Sequence, residues 1–171
     1  MDQLIIENQS NPLIFERFCA DLISKSENIS LVTTSFNYDR GIDARSVQPT
    51  RGRQPVVLCV TLARGLDAKV SADIIKLFKR TSPETVYYCS SATLTEDTCI
   101  QLEASIRNLV NRSVSVRVLG SIQLADLSKN YPSILERHYR SEIENIKSIF
   151  NAREARATDR DVRGLRMALM A

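Results

Sequence analysis

Hydrophobic and polar positions follow two periods that take turns along this chain. Over residues 12–23, Leu13, Ile14, Phe15, Phe18, Cys19, Leu22 and Ile23 recur at helical spacing, with Asn11 set to cap and Pro12 in the first turn. Residues 29–36 are β-branched and alternate, which predicts a strand. Asp39-Arg40-Gly41 predicts a turn, and the period of two over residues 42–48 predicts a second strand. A polar, basic hairpin loop over residues 49–55 leads to the run Val56-Val57-Leu58-Cys59-Val60-Thr61-Leu62. That run is apolar enough for a strand covered on both faces.

The period then returns to that of a helix. Over residues 67–80, Val70, Ile74, Leu77 and Phe78 share one face, with Lys69, Asp73, Lys76, Lys79 and Arg80 mostly opposite. Ser82-Pro83 ends this helix, and residues 84–90 predict a strand. Thr95 caps a helix to about residue 112, and residues 113–119 form a further strand. A short helix over residues 122–127 and a longer amphipathic one over 134–150 complete the order α-β-β-β-α-β-α-β-α-α. Strands alternating with helices after an opening hairpin predict an α/β fold, a mixed sheet of about five strands with helices on both faces.

The 171 residues suffice for one domain with an appended segment. Hydrophobic content of 43% and charged content of 25% are ordinary for a globular chain, and no apolar run is long enough to span a membrane. The first residues, Met1-Asp2-Gln3-Leu4, lack the basic start of a secretory signal, so the expected location is cytoplasmic. Cys19, Cys59, Cys89 and Cys99 sit singly in apolar segments, which predicts buried thiols in a reducing compartment. The net charge of +3 permits nucleic acid as a partner without arguing for it. The single histidine, His138, reads as an incidental surface residue of a late helix. Residues 151–166 carry Arg153, Arg156, Arg160, Arg163 and Arg166, then end in Met167-Ala168-Leu169-Met170-Ala171, which suits either a frayed helix or a junction to a further domain.

Asp39-Arg40-Gly41-Ile42-Asp43, followed by the apolar strand and by Ser90-Ser91-Ala92-Thr93-Leu94-Thr95, is similar to a D-G-G-x-D turn and a threonine-rich strand-to-helix segment. With the element order over residues 11–127, the chain resembles the restriction-endonuclease-like PD-(D/E)xK superfamily, nearest its Mrr-like branch. The resemblance implies that family's domain over residues 1–130 and a helical extension over 131–171, with DNA and a C-terminal NTPase or sensor domain in a bacterial defence protein as partners, while the long helix over 134–150 suits pairing with a second copy.

Phosphodiester hydrolysis in that family uses Mg²⁺ held by carboxylates, with a lysine stabilising developing negative charge. Carried over by motif position, Glu16 is the helix acid and Asp43 the core metal ligand, while Cys59 and Thr61 occupy the acid-or-amide and lysine positions. A thiol matches Mg²⁺ poorly and a threonine carries no charge. Three repairs are open: Lys69 on the next helix or Arg64 beyond the strand as the cation, and the Cys59 backbone carbonyl as a metal ligand. Arg51, Arg53, Lys76, Lys79 and Arg80 are the candidate phosphate contacts. Against each stands a plain structural reading: Glu16 a solvated acid, Asp39 a turn former, Lys69 a surface lysine, Cys59 and Thr61 core packing. Three functions follow: a nuclease-fold domain with weakened or lost hydrolysis that binds DNA or assembles a larger protein, an active Mg²⁺-dependent deoxyribonuclease, or an interaction domain without nucleic acid.

Overall fold

The computed structural model describes residues 1–34, 42–46, 55–63, 66–79, 81–110 and 113–169, with 67–68 and 153–169 described by their backbone. Its elements are α1 (Asp2–Glu7), α2 (Pro12–Ser26), β1 (Leu31–Thr33), β2 (Ala44–Ser46), β3 (Val56–Thr61), α3 (Leu66–Phe78), β4 (Thr85–Ser90), α4 (Glu96–Val110), β5 (Ser115–Leu119), α5 (Ser121–Lys129) and α6 (Pro132–Leu169). Every predicted element has a counterpart, and α1 is added. The Asp39-Arg40-Gly41 turn and most of the basic hairpin loop lie outside the described residues.

Local chemistry accounts for the first long helix. Asn11 Oδ1 accepts the Leu13 and Ile14 N–H groups at 3.1 and 3.3 Å, and Pro12 opens the helix where its missing N–H costs nothing. The five strands form one mixed sheet in the order β1-β2-β3-β4-β5. The pairs β1–β2 and β2–β3 are antiparallel, while β3–β4 and β4–β5 are parallel. Each parallel pair needs a crossover, which α3 and α4 supply.

Alternation along the strands then divides the core between the two faces. Leu58, Ala44, Tyr87 and Cys89 meet α1, α2, α5 and the start of α6. Val57, Cys59, Val86, Tyr88, Val116 and Val118 meet α3 and α4. All four cysteines are buried and carry free thiols.

Helix α6 spans both the predicted 134–150 helix and the basic segment after it, with a kink at Tyr139 (φ −130°, ψ 30°). Its first turns belong to the same core as the residues before 130: Ile134, Leu135, Tyr139 and Ile143 are all buried there. The Tyr139 hydroxyl is buried with no hydrogen-bond partner among the described residues. A polar atom sealed in an apolar site weakens the fold. Tyr139→Phe is therefore expected to leave stability unchanged or raise it by about 1 kcal/mol in urea denaturation. A clear loss would reveal a partner for that hydroxyl.

Candidate functional site

Asp43 stands immediately before β2, where the hairpin strands meet the parallel part of the sheet. Its N–H donates to the Leu58 carbonyl at 2.9 Å, although Leu58 is also in register with Ala44. Two residues thus face one, as in a β-bulge. The Asp43 carbonyl accepts the Thr34 N–H at 2.8 Å, and the Thr34 hydroxyl donates to the Ile42 carbonyl. Asp43 Oδ2 accepts the Val60 N–H at 2.5 Å. A side-chain oxygen thereby does the work of a ladder carbonyl, which is why an aspartate is tolerated beside a strand.

Glu16, on α2, is half-buried, as is Asp43. The buried Cys19 thiol is pushed well above its ordinary range, first by desolvation, then by contact with Cys89, and further by the charges of Asp43 and Glu16. The two acids therefore act on one thiol, and the α2–sheet boundary brings them into one locality.

Lys69 behaves differently. Its Nζ pairs with Asp73 Oδ1 at 3.0 Å, one turn along α3. Asp73 Oδ2 accepts the Tyr88 hydroxyl at 3.1 Å. Tyr88 is held far above the usual phenol range, first by burial, then by Asp73, with smaller contributions from Cys59 and Asp43. The Lys69 ammonium, expected as a relocated catalytic cation, is thus engaged with Asp73, which in turn holds the Tyr88 hydroxyl.

Cys59 is 2% exposed and lies opposite Tyr88 inside the second core cluster. Thr61 is 7% exposed, and its hydroxyl accepts the Ala63 N–H at 3.1 Å, holding the turn that leaves β3. Among the described residues, no group of three or more His, Cys, Asp or Glu side chains is placed to hold a metal ion. The Cys59 thiol, set in the core, and the Thr61 hydroxyl, holding a turn, are not donors that suit Mg²⁺, whereas Asp43 and the Cys59 backbone carbonyl offer the oxygen donors that it takes. Lys76 and Lys79 are exposed on α3 and form no ion pair among the described residues. Arg51, Arg53, Arg64 and Arg80 lie outside the described residues.

Two features depart from the reading of the sequence. His138 is not an incidental surface residue: its side chain is 12% exposed, Nε2 lies 2.8 Å from Asp21 Oδ2, and its ring stands edge-on to Phe18. Glu7, which the sequence did not single out, ties three segments together. Its Oε1 accepts Gln3 Nε2 at 2.6 Å, the Thr93 hydroxyl at 2.6 Å and the Ser121 hydroxyl at 3.1 Å. The Thr93 bond, followed by that of Gln3, holds its carboxyl below the usual range. No local signal marks this site, because Thr93 and Ser121 are 86 and 114 residues away. Comparison of the chain with protein-family models, curated proteins and solved structures returned no match.

Proposed function

We propose that this chain is a restriction-endonuclease-like domain whose hydrolytic chemistry is weakened or lost, and that it serves as a DNA-binding or assembly module of a larger cytoplasmic, bacterial defence protein. The observation that carries this reading is the fate of the two key strand positions: Cys59 and Thr61 are buried in the sheet. Asp43 supports the ladder through Val60, and the charge of Lys69 is drawn to Asp73. For DNA contact, the exposed Lys76 and Lys79 offer charge on one helix face. The placement of Glu16 and Asp43 within electrostatic reach of Cys19 favours the second reading, an active metal-dependent endonuclease with a relocated Lys69 or Arg64 as its cation.

Fluorescence anisotropy with labelled duplex DNA over a range of salt tests the binding half. Affinity is expected to fall steeply with salt, and the Lys76→Ala, Lys79→Ala double variant to flatten the log–log slope by about two. Binding insensitive to salt, or none, would favour an interaction domain. Incubation of plasmid with Mg²⁺ or Mn²⁺ tests the hydrolytic half, and the DNA is expected to stay intact. Cleavage abolished by Asp43→Asn would replace this reading with the endonuclease. Asparagine is the informative substitution, because its carbonyl still accepts the Val60 N–H. Asp43→Ala instead strands that donor at about 1–3 kcal/mol.

A further inference from the structure

A cavity of about 640 Å³ opens between the α1–α2 connection and the ends of β3 and β4. The carboxyl ends of parallel strands are where open α/β sheets hold their ligands, and this volume suits a small molecule. Three observations describe what it would hold. The first is Glu7, which lines it: all three of its hydrogen bonds fall on Oε1, and Oε2 carries none among the described residues. The carboxylate is ionised and held still before any ligand arrives.

The second is Ser91. It lines the same cavity at 5% exposure, and its hydroxyl has no hydrogen-bond partner among the described residues. That hydroxyl is not among the sealed, partnerless polar atoms of the described residues, so it opens onto the cavity and can donate to or accept from what enters. The third is the balance of the neighbouring amides. Asn8 Nδ2 donates to the Leu4 carbonyl and Gln9 Nε2 to the Ile5 carbonyl, so each amide nitrogen has spent one of its two N–H groups and both oxygens remain as acceptors. The described lining includes no cationic side chain.

We infer that this cavity binds a small molecule through a protonated primary amine, with Glu7 Oε2 as counter-ion and the Ser91 hydroxyl as a second contact. An ammonium group offers three donors to a lining rich in acceptors, whereas a phosphate or carboxylate would face Glu7 without a compensating charge. The site is independent of the nucleic-acid reading, because a pocket built around a fixed carboxylate repels DNA phosphate.

The full chain is titrated with 1,4-diaminobutane, lysine and spermidine as amine probes, beside glycerol and propionate, and followed by calorimetry and amide NMR. Amine probes are expected to bind and to shift the resonances of Asn8, Ser91 and Thr93, while glycerol and propionate do neither. Glu7→Gln keeps an oxygen for Thr93 and Ser121 yet removes the charge, and is expected to weaken amine binding about tenfold or more. Ser91→Ala, which deletes one contact without touching the charge, is expected to weaken it several-fold. Shifts confined to other residues, no amine binding by the parent chain, or unchanged affinity in a folded Glu7→Gln would overturn the assignment. If Glu7→Gln does not fold, the parent's shifts and Ser91→Ala decide the matter.

Discussion

Replacing Phe18 with alanine is expected to cost about 3–5 kcal/mol of stability, a large share of what a domain of this size possesses. Phe18 is fully buried on α2, where it joins two helices distant in sequence. Its ring lies 6.4 Å from that of Phe15, 5.1 Å from Tyr139 and 6.2 Å from His138, centroid to centroid. Truncation would open a cavity where α6 turns at its kink. The space could close only if α6 moved inward, and the Asp21–His138 contact opposes that movement. Urea denaturation by linear extrapolation measures the loss. A cost below about 1 kcal/mol would mean that α6 collapses freely onto α2, so that the two helices are not held as described.

Gly120→Ala is expected to destabilise the fold by about 1–3 kcal/mol, and to disturb the Glu7 cavity as it does so. Gly120 lies between β5 and α5 with φ −88° and ψ −175°, extended backbone that any residue adopts. The need for glycine here is one of space alone. An added Cβ would meet Leu94 Cβ and Cγ at 2.7 Å and the Ala92 carbonyl oxygen at 2.9 Å. Leu94 is a core residue, and the Ala92 oxygen already accepts the Ser121 N–H at 2.9 Å, so neither neighbour yields cheaply. Any shift of Ser121 moves its hydroxyl off Glu7. Leu94→Ala in the same chain should recover part of the Gly120→Ala loss, because it removes the Leu94 Cγ contact and leaves the Leu94 Cβ and Ala92 clashes. Thermal or urea unfolding of the four variants gives this coupling directly. Strict additivity would show that the Leu94 side chain beyond Cβ is not the obstacle.

Much of the architecture was legible in the chain, for reasons that are local. Asn11 and Pro12 open α2 through their own hydrogen-bonding capacities. The apolar run from Val56 to Thr61 had to be a doubly covered strand, and β4 follows the same logic. Helix α1 escaped notice because six residues are too few to display a period; Ile5 and Ile6 are buried by packing against distant helices. His138 was misread for a related reason. An isolated histidine on an amphipathic helix carries no sign of its partner, and Asp21 lies 117 residues away.

The candidate site divides along the same line. Sequence alone determined that Asp43 is out of place in an ordinary strand and that Cys59 and Thr61 carry neither a carboxylate nor a cation, since residue type sets ligand hardness and charge. Only the tertiary structure decided what those residues do instead. It turned Asp43 onto the Val60 amide, drew Lys69 and Tyr88 to Asp73, and assembled Glu7, Ser91 and Thr93 around a cavity. Periodicity and turn chemistry act within a few residues and can be read in order. Hydrogen-bond partners separated by tens of residues are chosen by how the helices close over the sheet, and that choice is made by packing.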